Sequence, residues 1–167
     1  MSSPFPVPSE RPELIAFDFD GVLTDNRVWI GEDGTESVAC NRADGLGFRM
    51  LREAGIPCVV LSTERNPVVT RRCEKLGIEC RQGLKDKKTA LSDICARLSI
   101  EPRAAWYVGN DLNDLAAMRA AGAALCPADA HHAVRAASRF VLAIPGGGGV
   151  VRAIAEDILG LTYQDEA

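Results

Sequence analysis

Leu14-Ile15-Ala16-Phe17-Asp18-Phe19-Asp20-Gly21-Val22-Leu23-Thr24-Asp25 is the stretch on which the reading of this chain turns. Four apolar residues in a row are too few for a helix and suit a strand buried on both faces, as in a parallel sheet. Two aspartates, Asp18 and Asp20, follow at once, so acid sits where a buried strand ends.

Working outward, the same grammar repeats. Val28-Trp29-Ile30 and Ser37-Val38-Ala39 flank Gly31-Glu32-Asp33-Gly34, which predicts a β-hairpin with an Asp-Gly turn. Asp44 is expected to cap a helix running to about Ala54, with Gly55 as its stop. Ile56 to Leu61 reads as a second buried strand. Asn66-Pro67 opens a helix that Gly77 ends. Ile78 to Cys80 is a short strand, and Asp86 caps a helix with Ala90, Leu91, Ile94 and Leu98 on one face. A third buried strand spans Ala104 to Val108, followed by a helix from about Leu112 to Ala121. Short strands at Ala123 to Cys126 and Phe140 to Leu142 enclose a helix around Ala130 to Ala137, and a last helix runs from Val150 to Leu159. Alternating strands and helices predict an α/β, doubly wound parallel sheet with helices on both faces. The expected organisation is a flexible segment over residues 1–12, one domain over 13–160 and a tail over 161–167.

A chain of 167 residues suits a single domain. With 47% apolar and 25% charged residues it falls among ordinary globular proteins. Its net charge of −4 argues against a general nucleic-acid binder, which would carry a basic surplus. No run of about 18 apolar residues occurs, so no membrane-spanning helix is expected. The opening segment lacks an apolar core of signal-peptide length, and none of the six cysteines forms a C-x-x-C pair. Scattered thiols in a reducing compartment, the cytoplasm, are the expectation.

In doubly wound sheets, ligands bind beyond the carboxyl ends of the strands. The residues that fall there are Asp18 and Asp20, then Ser62 and Thr63, then Asn110, Asp111 and Asp114, with Lys87 at the start of a helix. Carboxylates, a hydroxyl and a lysine converging on one edge can hold a divalent cation and a phosphate together. A carboxylate nucleophile can split phosphate-ester hydrolysis into two easier displacements. A second acid two residues on can serve as proton donor and then acceptor.

FDFDGVLTD (Phe17 to Asp25), Ser62 at the end of VVLS, Lys87 after QGLKD and GNDLND (Gly109 to Asp114) resemble, in order, the four motifs of the haloacid dehalogenase superfamily. The resemblance spans Leu14 to Leu159. It implies that Asp18 is the nucleophile and Asp20 the general acid/base, and that Ser62 and Lys87 hold the phosphoryl group. By the same resemblance Asp18, the carbonyl of Asp20 and the Asn110/Asp111 pair bind Mg²⁺. Asn110 departs from the usual acid and adds no charge to the site.

The gaps between motifs leave no room for a cap domain. The hairpin, DGLG (Asp44 to Gly47) and the GGGGVVRAIAEDIL tail resemble the octulosonate-8-phosphate phosphatase group, which implies a homotetramer. Glu64, where that group has TGR after the second strand, with Lys75 downstream, resembles relatives acting on nine-carbon sugar acids. The implied substrate is a phosphorylated 2-keto-3-deoxy sugar acid, a nine-carbon 9-phosphate ahead of the octulosonate. The implied contacts are Asp44, Thr63, Glu64, Arg72 and Lys75. A broad-specificity phosphatase and a non-catalytic module beside an acylneuraminate cytidylyltransferase are the competing expectations. Trp29 on the hairpin reads as an interface anchor, because an isolated hairpin has no core of its own. Gly146 to Gly149 lacks a following Gly-Lys-Ser/Thr and reads as a flexible turn bordering the site. Adjacent His131 and His132 would point apart on a helix and make a poor metal pair.

Overall fold

Alternation along each central strand decides which side of the sheet each residue serves. In the computed structural model, which describes residues 11–163, Ile15 and Phe17 of β1 (Leu14–Phe17) face one core while Leu14 and Ala16 face the other. The same split recurs in β4 (Cys58–Leu61), β6 (Ala105–Val108) and β7 (Ala123–Cys126). With β5 (Glu79–Arg81) and β8 (Phe140–Val141) these form a six-stranded parallel sheet in the order β5-β4-β1-β6-β7-β8. The chain winds outward from β1 to β5, then returns to place β6 on the other flank of β1. The crevice above β1 and β6 is therefore the switch point of the topology.

One face of the sheet is covered by α1 (Ala43–Glu53), α2 (Val68–Leu76) and the C-terminal helix, which is α-helical over Val150–Ala153 (α6) and widens to a π-helix over Ile154–Ile158. The opposite face carries α3 (Lys87–Leu98), α4 (Leu115–Ala120) and α5 (His132–Ala137). The helix expected from Leu112 begins instead with a 3₁₀ turn, Leu112–Asp114. The expected flexible segment and tail fall mostly outside the described residues.

Two local expectations need correction. Asp44 is not the cap of α1, which starts one residue earlier. Asn41 Oδ1 accepts from the Ala43 N–H at 2.9 Å, while Asp44 lies inside the first turn. Gly146 and Gly147 are not a free turn. A Cβ on Gly146 would stand 2.1 Å from the Gly21 carbonyl oxygen, and one on Gly147 would stand 2.6 Å from the Asp25 nitrogen. These glycines let the loop press its backbone against the turn that carries Asp20.

The hairpin, β2 (Thr24–Ile30) and β3 (Glu36–Cys40), forms its own two-stranded sheet, with Val38 and Cys40 packed against one core and its far end exposed. Its pairing is irregular between Thr24 and Val28, where Asn26 takes a left-handed conformation (φ 64°). Trp29 and Ile30 are 68% and 69% exposed. Among the described residues no cap domain covers the crevice, and all six cysteines are free thiols.

Candidate active site

Buried polar residues mark the crevice. Asp18, Thr24, Ser62, Lys87, Asn110 and Asp114 are all buried beside it. Asp18 leaves the end of β1 with its Oδ1 accepting from the Phe19 N–H at 2.7 Å. Lys87 is the first residue of α3, whose preceding Asp86 caps it by accepting from the Lys88 and Thr89 N–H groups. Of Lys85, Lys87 and Lys88 only Lys87 is buried. Its Nζ lies 2.7 Å from both Asp18 Oδ1 and Asp114 Oδ1. Breaking such a buried pair would leave an uncompensated charge, so each member holds the others in place.

Asp114 is the hub that motif reading undervalues. Its Oδ1 accepts from Lys87 Nζ (2.7 Å) and from the Tyr107 hydroxyl (2.8 Å). Its Oδ2 accepts from the backbone N–H groups of Asn110 (2.9 Å) and Asp111 (3.2 Å). One carboxylate thus sets the lysine and shapes the turn that aims Asn110. Thr24 does similar work for the acid. Its Oγ1 accepts from the Gly21 and Asn26 N–H groups and stands 3.5 Å from Asp20 Oδ1. The spacing within DGVLTD is the only sequence signal for Thr24, and nothing in the sequence separates Asp114 from a metal ligand.

The Asn110 side chain points one amide heteroatom at the Asp20 carbonyl oxygen (2.9 Å) and Asp18 Oδ2 (3.1 Å). With the nitrogen there, the amide simply donates to both. With the oxygen there, three oxygens face one another at separations that only a cation between them makes favourable. Six-coordinate Mg²⁺, with ligands at 2.0–2.1 Å, sets neighbouring oxygens about 2.9–3.0 Å apart, so the spacing fits that ion. The donor set is two side chains and a carbonyl, and no group of three His, Cys, Asp or Glu side chains placed to hold a metal ion exists among the described residues. Gly21 keeps the place open, since a Cβ there would meet the Asn110 amide at 1.9 Å. Asp111 is exposed, caps the 3₁₀ turn and spends Oδ1 on the Leu112 N–H at 2.7 Å. It borders the cleft.

Burial, then the nearby charge of Asp114, raises the Asp18 carboxyl to about 7, against the pull of Lys87. A cation at the three-oxygen position would favour the ionised carboxylate. Burial is the largest single influence on the Lys87 ammonium and acts to lower it, but the charges and hydrogen bonds of Asp18 and Asp114 together raise it, so it stays charged. Burial, then the charge of Glu64, raises the Asp20 carboxyl, which suits a proton donor.

A cleft of about 110 Å³ gathers Asp18, Asp20, Asn26, Ser62, Thr63, Asn110, Asp111 and Asn113. Ser62 Oγ accepts from the Glu64 N–H at 3.0 Å, which leaves its own proton free to donate into the cleft. Glu64 Oε1 accepts from the Arg65 and Asn66 N–H groups. Four larger hollows among the described residues, one of them sharing Asp20 and Asn26 with this cleft, are not lined by Asp18.

The expected substrate contacts do not all assemble here. Asp44 is 2% exposed and turns away, its Oδ1 accepting from the Val151 N–H at 2.9 Å to fasten the C-terminal helix. Arg72 and Lys75 line a separate hollow of about 420 Å³ with Arg42, Gly45 and Leu76. His131 Nδ1 accepts from the Ala133 N–H and starts α5.

A doubly wound sheet whose switch point holds an aspartate, a salt-linked lysine and a cation position defines a class of hydrolase. The haloacid dehalogenase-like hydrolase model matches residues 36–122, and the chain belongs to that family. It is 35% identical over 152 residues, 90% of this chain and 81% of the relative, to 3-deoxy-D-manno-octulosonate 8-phosphate phosphatase KdsC of Escherichia coli K12. A HAD family hydrolase from Streptomyces avermitilis superposes with a TM-score of 0.89 at 42% identity, covering 96% of this chain and 91% of that one. The 3-deoxy-D-manno-octulosonate 8-phosphate phosphatase of Moraxella catarrhalis, solved with magnesium, phosphate and KDO, superposes with a TM-score of 0.85 at 37% identity, covering 89% and 86%.

Proposed function

We propose that this chain is a Mg²⁺-dependent phosphomonoesterase acting on a phosphorylated 2-keto-3-deoxy sugar acid. The observation that carries the reading is Asp18, buried at a strand end with Lys87 on one oxygen and the three-oxygen cation position on the other. Mg²⁺, held by Asp18, the Asp20 carbonyl and Asn110 with Asp111 behind, would neutralise phosphate charge as Lys87 does.

The carboxylate of Asp18 attacks phosphorus, and the ester bond to the leaving oxygen breaks as Asp20 donates its proton to that oxygen. The aspartyl phosphate is then opened by water, whose proton returns to Asp20. Ser62 and Lys87 hold the phosphoryl oxygens, and Thr63 borders them.

Within this class we favour a nine-carbon ulosonate 9-phosphate. Glu64 stands close enough to Asp20 to perturb it, at the edge of the cleft from which a leaving group departs. The octulosonate 8-phosphate has separate support from the activity of the KdsC relatives. Arg72 and Lys75 share no hollow with Asp18, so their substrate role requires a neighbouring subunit to present them. A homotetramer built through the exposed hairpin would do so. Free thiols throughout fit a cytoplasmic enzyme.

The test is phosphate release, with and without Mg²⁺, from nine-carbon 9-phosphates, octulosonate 8-phosphate and hexose phosphates. A Mg²⁺-dependent preference for a sugar acid is expected, and Asp18→Asn should lower turnover by at least about 10³-fold in a chain that still folds, because Lys87 keeps Asp114 as its partner. Retained turnover in that variant would sink the nucleophile assignment.

A further inference from the structure

The amino ends of the strands carry a hollow bordered by none of the catalytic residues. It measures about 340 Å³, inside the range of roughly 300–1,000 Å³ for small-molecule pockets. Its walls come from four separate connections. Arg11 and Glu13 lie ahead of β1, Arg103 lies in the 3₁₀ turn Pro102–Ala104 ahead of β6, Gly122 precedes β7 and Arg139 precedes β8. Chemistry in doubly wound sheets sits at the other end, beyond the carboxyl ends of the strands. The length of β6, roughly 13 Å of strand, separates this hollow from Asn110.

Backbone contacts fix this cradle. Glu13 donates its N–H to the Ala104 carbonyl at 2.9 Å, Gly122 donates to Ala105 at 2.8 Å and Arg139 donates to Ala124 at 2.8 Å. A Cβ on Gly122 would stand 1.8 Å from the Arg103 carbonyl oxygen, so glycine is what lets those two connections touch. On this frame three guanidiniums line the hollow against a single carboxylate, in a chain whose net charge is −4. None of the three arginines has an ion-pair partner among the described residues. Arg139 holds its guanidinium 5.3 Å from the Phe140 ring centroid, and Arg103 reaches only the Ala121 carbonyl, at 3.5 Å. Trp106 adds an independent observation. It lines the hollow while only 4% exposed, and its indole N–H meets no acceptor among the described residues. A buried tryptophan ordinarily finds a partner for that N–H.

We propose that this hollow binds a small phosphate-bearing anion with two or more negative charges, at a site separate from the catalytic cleft. Guanidinium forks match phosphoryl oxygens with paired, charge-assisted hydrogen bonds. Three forks on separate connections suit oxygens that diverge from a tetrahedral centre, whereas a carboxylate presents two oxygens in one plane. The Trp106 N–H supplies a further donor on the wall, and Glu13 accepts from a hydroxyl of the ligand. Bound there, the anion ties together the connections ahead of β1, β6 and β8 and touches neither Asp18 nor Lys87.

The test titrates pyrophosphate into the full chain with EDTA present, so that no Mg²⁺ recruits it to the catalytic cleft. Calorimetry follows wild type, Arg103→Gln, Arg139→Gln and Glu13→Gln. Fluorescence is read in Trp29→Phe, which leaves Trp106 as the one remaining tryptophan. One anion per chain is expected, with a saturable change in Trp106 emission. Affinity should fall by roughly tenfold in each arginine variant. It should rise in Glu13→Gln, where the opposing charge is gone. Arg103, Arg139 and Glu13 are exposed, so each free variant should melt as the wild type does. Affinity unchanged in both arginine variants would place the anion elsewhere on the chain and overturn the proposal. So would the absence of both heat and emission change, or a change that sodium chloride of equal ionic strength reproduces. None of these outcomes depends on whether the chain releases phosphate from an ester.

Discussion

At the scale of single residues, Asp44 shows how one side chain can be misread and still matter. Its Oδ2 is buried without a hydrogen-bond partner. Burial raises its carboxyl from 3.8 to about 6, against the Val151 and Arg152 N–H groups. The folded protein thus binds this proton more tightly than the unfolded chain does, so the stability contribution falls as pH rises from about 4 through about 6, then levels off. Asp44→Asn keeps an acceptor for Val151 and should lack that slope. The wild type should lose about 2–3 kcal/mol relative to the variant between pH 4 and 7, read from denaturant melts at each pH. Parallel curves would show that Asp44 does not titrate in this window. Their place after buried strands singled out Asp18, Asp20 and Ser62 in the sequence, whereas Lys87 stood apart from Lys85 and Lys88 only through the family resemblance. Motif spacing could not separate Asp114 from Asn110 and Asp111, since a carboxylate at that spacing can hold a metal or four hydrogen bonds equally well. Only the approach of Lys87 and Tyr107 from other elements decides it.

Among elements, the loop before the last helix governs the first turn of the site. Gly146 donates its N–H to Asp129 Oδ1 at 2.8 Å, and Gly147 donates to the Val22 carbonyl at 3.0 Å. Gly146→Ala would force its Cβ into the Gly21 carbonyl and shift the turn bearing Asp20 and Thr24. We expect a loss of roughly 1–3 kcal/mol in stability with a fall in kcat. A variant with normal melting and normal kcat would show that the loop yields without moving Asp20. Element identity was legible almost throughout, because short apolar runs and Asx or Gly-bounded helices carry local signals. The exceptions are set by distant contacts. The start of α1 follows Asn41 because Asp44 is drawn to Val151, and the 3₁₀ turn at Leu112 follows the grip of Asp114 on the Asn110 and Asp111 N–H groups.

For the whole molecule, the hairpin leaves Val28, Trp29 and Ile30 outside any core of the single chain. Apolar surface of this kind marks an interaction site. The proposed homotetramer should appear in light scattering as four times the 17.9 kDa chain. Replacing Trp29 and Ile30 by glutamate should shift it to smaller species with the melting of the domain little changed. A wild type that is monomeric at micromolar concentration would remove the tetramer and with it the only route by which Arg72 and Lys75 reach a substrate.

The clasp between the two ends of the domain also has a meaning in time. Asn41 Nδ2 donates to the Gly147 carbonyl and Val151 donates to Asp44, pairs separated by 106 and 107 positions along the chain. A ribosome releases Asp18, Lys87 and Asn110 well before it releases Gly146. While the chain is still being made, its acids and lysine are out of the tunnel but the turn under Asp20 has nothing pressing on it. Contacts this remote in sequence close late, because loop closure comes before they stabilise anything. The turn under Asp20 is therefore braced only once residues 146–151 have been made, and a chain cut short before its glycine run would also lack the helix that covers one face of the sheet.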